Sequence, residues 1–113
     1  MEDIIRVQKE FDEKHGFDTF HSIEEKDTNL QYNFIAMLGE LGELANELKG
    51  LLREKRLKGK DIPDEFYERM REEIVDIFIY VLKLSFLLGM DLKEEHAKKV
   101  KKNEERFREF RRG

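Results

Sequence analysis

Apolar residues recur every three or four positions along most of this chain, which is the spacing of one face of an α-helix. The spacing predicts helices over about residues 2–14, 29–56, 63–88 and 91–111. No segment alternates apolar and polar residues as a half-buried strand does. The pattern therefore predicts an all-α fold, a four-helix bundle-type domain in which residues 1–113 form a single domain.

Local signals mark the predicted helix ends. The segment HGFDTFHSIEEKDTN, residues 15–29, reads as an irregular connection, in which the capping-box pattern of Ser22 and Glu25 favours at most one turn of helix. Pro63 suits the first position of the third helix, where its missing N–H does no harm. Gly89 is a favourable C-terminal stop for the same helix.

The predicted third helix is apolar on almost every side. Its segment EEIVDIFIYVLKLSFLL, residues 72–88, leaves almost no face for solvent. A helix of this kind is normally buried on most sides. The other helices of a single chain of this size are not enough to cover it. We therefore expect the chain to self-associate as a homodimer or a homotetramer.

Four polar residues interrupt this apolar helix at the spacing i, i+3, i+7 and i+10, so they form one stripe: Glu73, Asp76, Tyr80 and Lys83. A carboxylate among isoleucines is costly unless a cation or a metal accompanies it. Two interpretations of Asp76 stay open. It forms an ion pair with Lys83 at an oligomer seam, or it belongs to a metal site.

The second helix carries a matching acidic stripe. Glu40, Glu43 and Glu47 fall at i, i+3 and i+7 and share a face. Gly39 and Gly42 lie among them, and each costs a helix interior about 0.5–1 kcal/mol relative to alanine. Glycine at these positions lets a neighbouring helix or a ligand approach the backbone. The alternative is that the three acids form an ordinary solvated helix face.

If the two stripes face each other, four carboxylates meet, and their repulsion raises their pKa values unless a cation lies between them. Oxygen ligands suit a hard divalent cation, most naturally Mg²⁺, with Mn²⁺ as a substitute. Mg²⁺ keeps waters and also takes phosphate oxygens from a substrate. The predicted metal ligands, which are also the candidate catalytic residues, are Glu40, Glu43, Glu73 and Asp76.

Composition excludes several classes of function. Charged residues make up 42% of the chain, yet the net charge is only −4, so no basic field attracts nucleic acid. The chain has no cysteine, which excludes disulfides and thiol chemistry and favours the reducing cytoplasm. Asp76 and Lys83 break the longest apolar run, and the N-terminus is acidic and amphipathic. We therefore expect neither a membrane partner nor a signal peptide.

The two acidic motifs, in this order and on apolar helices, resemble those of the MazG-like, all-α nucleoside triphosphate pyrophosphatases. In GELGEL, Glu40 and Glu43 match the last two acids of that family's EExxE motif, and Glu73 and Asp76 in EEIVDIFIY match its ExxD motif. Gly39 stands where many members have the first glutamate, as in the dCTP pyrophosphatase branch. The resemblance covers nearly the whole chain, apart from an insertion around SIEEKDT.

Other segments are similar to the same branch and imply substrate-binding residues. GFDTFH resembles its Trp-x-x-Phe-His segment, and KKVKKNEERF resembles its Lys-x3-Asn-x2-Arg tail. The resemblance implies a base pocket walled by Phe17, His21 and Tyr80, and phosphate or sugar contacts from Lys99, Asn103 and Arg106. Judged by residue type alone, Phe17 also fits the core, and Tyr80 also fits a core position in which its hydroxyl pairs with an acid. His21 also fits a cap, and the charges of the tail also fit a solvated surface.

The resemblance implies Mg²⁺-dependent cleavage of a nucleoside triphosphate to the monophosphate and pyrophosphate, as in nucleotide-pool cleaning. Two other classes of protein are alternatives to such an enzyme. A ferritin-like di-iron bundle needs Glu-x-x-His on two helices, but Asn46 follows Glu43 and Ile79 follows Asp76 at that spacing. A non-enzymatic helical oligomerisation module stays open, and release of pyrophosphate separates it from an enzyme.

Overall fold

The computed structural model describes residues 1–110, and all regular structure in this part of the chain is helical. No strand occurs in it, so the predicted all-α fold class is confirmed. No helix within it has the length and apolar character needed to cross a membrane. The elements are α1 (Glu2–Lys14), α2 (Ile23–Lys58), α3 (Asp64–Leu87), α4 (Leu92–Arg106) and a 3-10 turn (Arg108–Phe110).

Helix α2 begins six residues before the predicted start at Asn29, so that boundary was wrong. The backbone N–H of Glu25 donates to the Ser22 hydroxyl at 3.0 Å, and the Glu25 carboxylate accepts from the backbone N–H of His21 at 3.0 Å. The first bond satisfies one of the amides that a helix start leaves without a partner, and the second ties the residue before the N-cap to the first turn. The capping box therefore opens the long helix itself, and the irregular connection is correspondingly shorter.

The other helix ends differ from the predictions by smaller amounts. Pro63 is the N-cap of α3 and not its first helical residue. Gly89 follows α3 with φ of +63°, in the left-handed region that glycine adopts without strain. Asp91, where the fourth helix was predicted to start, is the N-cap of α4 and accepts from the backbone N–H of Glu94 at 3.2 Å. The α-helix then ends at Arg106, and the predicted end at residue 111 lies outside the described residues.

The main packing interaction joins α2 to α3, and α1 lies against α3. Among residues 1–110, the buried apolar side chains all come from α3: Phe66, Leu82, Leu84 and Leu87. The fully buried core is therefore small, and most of it lies in the C-terminal half of α3. The α2–α3 packing also brings together the two helices that carry the acidic stripes.

A single copy of this chain is less compact than a typical domain of its length. Its radius of gyration is 18.6 Å, compared with about 13 Å for a compact domain of this length. Its accessible surface is 9725 Å², compared with about 6,600 Å² for a compact monomer of 13.7 kDa. Large apolar side chains on α2 and α3 remain exposed, including Ile35 at 68%, Ile74 at 61% and Val75 at 57%. One chain therefore leaves apolar faces of α2 and α3 uncovered.

Candidate metal and nucleotide site

Three carboxylates meet where α2 crosses α3. Glu40 on α2 and Glu73 and Asp76 on α3 bring one oxygen each to within 4.8 Å of one another. Glu40 and Glu73 are half-buried, and Asp76 is exposed. The two acidic stripes thus face each other, as the hypothesis of a shared cluster required.

Two oxygens of this cluster lack a hydrogen-bond partner. Glu40 Oε2 and Glu73 Oε1 are buried, and no donor among the described residues reaches either of them. A buried acceptor without a donor costs about 1–3 kcal/mol, and more for a charged group. A divalent cation would satisfy both oxygens, and an all-oxygen ligand set suits Mg²⁺. The residues at the cluster therefore fit a metal of this kind.

The raised pKa of Glu73 also favours a cation at this cluster. Burial raises the pKa of Glu73 above its usual value of 4.5, and the adjacent Glu40 carboxyl raises that pKa further. The negative charges of Asp76 and Glu43 add to the effect. Glu43 lies outside the group of three whose oxygens meet, but its charge still acts on Glu73. Without a cation, the cluster thus retains a proton to higher pH than an isolated glutamate does.

Tyr80 lies one turn beyond Asp76 on α3, and its hydroxyl donates to Glu40 Oε1 at 3.3 Å. Burial raises the pKa of this phenol, and the charge of Glu40 raises it further. Tyr80 is therefore a neutral donor that fixes the orientation of Glu40. The sequence resemblance gave Tyr80 a place in the base pocket, and its residue type also allowed a tyrosine whose hydroxyl pairs with an acid. The structure shows that pairing, with the carboxylate of Glu40.

Glu47, the third acid of the α2 stripe, does not join the cluster. It forms an ion pair and hydrogen bond with Arg69 on α3. Both side chains are about half exposed, so the pair stabilises the helix contact only modestly, by about 0–1 kcal/mol. Glu47 therefore belongs to the α2–α3 contact.

Gly39 and Gly42 face open space in the single chain. A Cβ atom added at either position would meet no atom within 4 Å, among the atoms that the structure describes. The prediction that a neighbouring helix approaches the backbone here is thus wrong for helices of the same chain. The approach of a helix from another subunit, or of a ligand, stays a prediction.

A cavity of about 370 Å³ adjoins the acid cluster. Glu40, Asp76 and Tyr80 line it, together with Phe17 from the connection after α1. Phe17 is 48% exposed, which does not fit the core residue that its type alone also allowed. The structure thus places the aromatic candidate for base stacking and the acids beside one cavity.

Lys83 lines the same cavity but does not pair with Asp76. Within residues 1–110 of one chain, no ion pair joins Lys83 and Asp76. An ion pair of these residues at an oligomer seam stays a prediction. The Lys83 ammonium lies 5.3 Å from the centroid of the Phe17 ring. Sequence reasoning placed Lys83 in the polar stripe of α3 and gave it no role at a substrate.

Three further polar residues of the cavity wall were missed at the sequence level: Gln8, Asp12 and Asn33. Gln8 and Asp12 lie one turn apart on α1, and the Gln8 amide donates to Asp12 Oδ1 at 3.0 Å. The i, i+4 spacing of these two was visible in the sequence. Their position beside the acids depends on how α1 packs on α3.

Four predicted substrate contacts are not brought to this cavity in one chain. His21 is exposed, and its backbone takes part in the α2 cap. Helix α4 packs on the other helices over very few residues, and none of its three predicted residues lines the cavity. The Arg106 guanidinium lies 5.1 Å from the centroid of the Phe107 ring. The residues that remain apart are His21, Lys99, Asn103 and Arg106.

Comparison with known proteins identifies the family. A family model described as dUTPase matches residues 1–111. The chain belongs to this dUTPase family. No curated protein and no solved structure matches the chain.

Membership of the dUTPase family makes the chain a nucleoside triphosphate hydrolase, so it is an enzyme with a nucleotide substrate. The matching model does not carry the MazG-like name to which the sequence resemblance pointed, but both describe enzymes of nucleotide hydrolysis. The family is typically metal-dependent, in keeping with the carboxylates of Glu40, Glu73 and Asp76.

Proposed function

We propose that residues 1–113 form a single catalytic domain that hydrolyses a nucleoside or deoxynucleoside triphosphate between its α and β phosphates. The products are the monophosphate and pyrophosphate, as in removal of unwanted nucleotides from the pool. One observation supports the proposal above the others. Glu40, Glu73 and Asp76 bring one oxygen each together beside a cavity that Phe17 also lines, and two buried oxygens of this cluster, Glu40 Oε2 and Glu73 Oε1, have no donor among the described residues.

In this proposal Glu40, Glu43, Glu73 and Asp76 hold Mg²⁺, and Mn²⁺ can replace it. When bound, the ion offsets the negative charge that develops on the phosphate oxygens during cleavage. Tyr80 keeps Glu40 oriented through its hydrogen bond. Residues that orient metal ligands in this way commonly contribute tenfold to hundredfold to metal affinity or activity, as orders of magnitude.

The carboxylates also serve the proton transfer that hydrolysis requires. The oxygen of a water forms the new bond to phosphorus, the anhydride P–O bond breaks, and pyrophosphate leaves. A glutamate of the cluster accepts the proton that the water loses. Glu43 is exposed and lies outside the three converging oxygens, so its carboxylate is accessible to such a water.

The aromatic end of the cavity receives the base. The half-exposed ring of Phe17 offers a stacking surface, and Lys83 lies over that ring. The Lys83 ammonium can donate to a carbonyl of the base or to a phosphate oxygen. His21, which lies four residues after Phe17, completes this wall in the proposal.

We also propose that the active form is a homodimer or a homotetramer. A single chain exposes about 3,000 Å² more surface than a compact monomer of its mass, and obligate homodimers bury 2,000–5,000 Å² or more. The uncovered apolar faces of α2 and α3 supply that interface. In such an assembly the phosphate contacts of Lys99, Asn103 and Arg106 come to the cavity from another subunit.

A nucleotide panel tests the proposal. Canonical and modified NTPs and dNTPs are incubated with the protein and Mg²⁺, and pyrophosphate is measured against orthophosphate. We expect pyrophosphate with the monophosphate, and no product when EDTA removes the metal. Orthophosphate would place the cleavage at another bond. No product from any nucleotide would favour the non-enzymatic oligomerisation module.

A further inference from the structure

The backbone that carries Phe17 is held at the end of α1. Gly16 follows the C-cap of α1 with φ of +68°, in the left-handed region that glycine adopts without strain. The Gly16 N–H donates to the Glu13 carbonyl at 3.2 Å, and the Phe17 N–H donates to the Asp12 carbonyl at 2.8 Å. These two bonds form a Schellman motif, a common helix ending. The motif sets the place of the Phe17 backbone but leaves the direction of the Phe17 ring open.

The His15 imidazole stacks against the Phe17 ring. The two ring centroids lie 5.7 Å apart, and the ring planes differ by 24°. Offset stacking at this separation is favourable for aromatic side chains. His15 also lies against Phe11, one turn earlier on α1, with the ring centroids 4.2 Å apart. The His15 imidazole therefore connects the Phe17 ring to the surface of α1.

A hydrogen bond restrains the imidazole itself. His15 Nδ1 lies 2.8 Å from the carbonyl oxygen of Phe11. Because a carbonyl oxygen only accepts, Nδ1 carries the proton and donates. The imidazole is thus held by this bond and by the Phe11 ring, and it presents a fixed surface to Phe17.

The aromatic cluster of Phe11, His15 and Phe17 contributes little to the core. His15 is exposed, and both phenylalanine rings are about half exposed. Phe11 and Phe17 line the site cavity, whereas His15 does not. His15 therefore supports Phe17 from outside the cavity, where it touches the ring and not a nucleotide bound inside.

We propose that His15 is a positioning residue that holds the Phe17 ring in the orientation that stacks on the base of the nucleotide. A side chain that becomes immobile only when the ligand binds weakens binding, because its loss of rotamer freedom opposes association. A ring that is already held avoids that loss. The inference rests on the proposed function, because it needs a base on Phe17. It goes beyond that function by naming a residue that acts on every base alike without contacting any.

A fluorescent reporter tests whether His15 restrains the ring. The chain contains no tryptophan, so Phe17→Trp gives a single indole whose local motion is measured by time-resolved anisotropy without nucleotide. We expect restricted motion with His15 in place and faster, wider motion when His15→Ala is added. His15→Phe keeps a ring for the stack and should restore the restriction.

His15→Asn separates the stack from the hydrogen bond. An asparagine amide can donate to the carbonyl four residues earlier, as Asn33 does to the Asn29 carbonyl at 2.7 Å. His15→Asn therefore keeps a donor for the Phe11 carbonyl but has no ring, so the indole should move as freely as in His15→Ala. This variant also serves if His15→Ala does not fold, as circular dichroism will show.

Nucleotide binding tests the consequence for the site, in variants that keep Phe17. The probe is the α,β-imido analogue of dUTP, which resists cleavage, titrated with Mg²⁺ into the full chain by calorimetry. Affinity should fall about threefold to tenfold in His15→Ala and His15→Asn, and stay within about twofold of wild type in His15→Phe. With dUTP as substrate, KM should rise by a similar factor and kcat should stay within about twofold, because stacking holds the substrate and the transition state equally.

Thr19→Ala is the matched control. Thr19 is an exposed, uncharged residue of the same connection and does not line the site cavity. Its loss should leave the motion of the indole and the affinity for the analogue unchanged.

Each outcome decides the inference. Unchanged indole motion or unchanged affinity in His15→Ala overturns it. Rescue by His15→Asn but not by His15→Phe also overturns it, since His15 would then only cap α1. Pyrophosphate release by a protein whose indole ignores His15 would leave the proposed function intact. The expected motion and affinity without pyrophosphate release would refute the proposed function and support the role of His15. No binding of the analogue would overturn both.

Discussion

The Tyr80 hydroxyl donates to Glu40 Oε1 at 3.3 Å, and this bond joins the polar stripe of α3 to the acidic stripe of α2. The partners lie forty residues apart in sequence. Glu40 Oε2 has no donor among the described residues. One oxygen of Glu40 lies within 4.8 Å of an oxygen of Glu73 and of Asp76. One oxygen of Glu40 thus serves orientation, and the other is available to a cation.

Tyr80→Phe tests this division of roles. The variant keeps the ring and removes the donor, so Glu40 loses its fixed orientation. We expect the Mg²⁺ concentration for half-maximal activity to rise by about tenfold or more, while maximal turnover at saturating Mg²⁺ falls less. A Mg²⁺ titration of pyrophosphate release measures both. Unchanged Mg²⁺ dependence would show that the bond has no part in metal binding.

Glu43→Gln and Asp76→Asn should each abolish turnover without unfolding the protein. Each substitution removes one negative charge from a cluster whose members repel one another, so Tm without Mg²⁺ should hold or rise. Pyrophosphate assays and thermal melts in EDTA give the two readouts. Near-normal activity in either variant would contradict the metal-site assignment.

Glu47→Gln is the control for those two variants. Glu47 belongs to the same stripe of α2 but pairs with Arg69. Turnover should stay close to wild type, and the free energy of unfolding should fall by no more than about 1 kcal/mol, because the pair is solvent-exposed.

The stability of the metal-free protein should depend on pH through Glu73. Because the pKa of Glu73 is raised in the folded state, its stabilising contribution is fully present below its ordinary value of 4.5. The contribution is lost as pH rises through the raised pKa. We expect Tm in EDTA to fall by more in the wild type than in Glu73→Gln as pH rises above 4.5. Mg²⁺ should reduce this fall, since it binds the ionised cluster. Identical pH dependence in the two proteins would show that Glu73 carries no such linkage.

Arg106→Ala and Phe17→Ala should affect different parts of the nucleotide. Arg106→Ala loses a charge-assisted contact to phosphate, so kcat/KM should fall for every base alike. The fall should correspond to a loss of about 1.5–3 kcal/mol in transition-state stabilisation. Phe17→Ala loses a stacking surface that contacts only the base in the proposed site, so the ranking of the bases by kcat/KM should change. Measuring kcat/KM for four deoxynucleoside triphosphates distinguishes the two patterns.

Arg108→Ala is the control for the tail. Arg108 is an exposed arginine two residues after Arg106, and its loss should leave kcat/KM unchanged. If Arg106→Ala reorders the bases and Phe17→Ala lowers all four equally, the two ends of the pocket are reversed. If neither variant changes kcat/KM, the C-terminal tail and the GFDTFH segment only support the fold.

The protein should be oligomeric at micromolar concentration. Light scattering should give two or four times the subunit mass of 13.7 kDa. Ile74→Glu places a charge on the exposed apolar face of α3 and should shift the population toward monomer. Ile23→Glu is the control, because Ile23 is 87% exposed at the start of α2. A monodisperse wild-type monomer would contradict the proposed assembly.

The sequence by itself determined the helices and the faces on which their acids lie. Apolar spacing and caps act over three or four residues, so the spacing of Glu40 and Glu43, and that of Glu73 and Asp76, was visible along the chain. The start of α2 was the largest error, because a capping box alone does not show how long the helix after it will be.

Only the tertiary structure decided which of these side chains meet. The crossing of α2 and α3 places Glu40 beside Glu73 and lets Glu47 form an ion pair with Arg69, although Glu40 and Glu47 share one stripe. The packing of α1 on α3 buries Asp12 beside the same cavity, and no local pattern marks that position. Periodicity fixes the direction of a side chain around its own helix axis. The partner on another helix depends on the angle and the level at which the two axes cross, and these are set by packing along the whole contact.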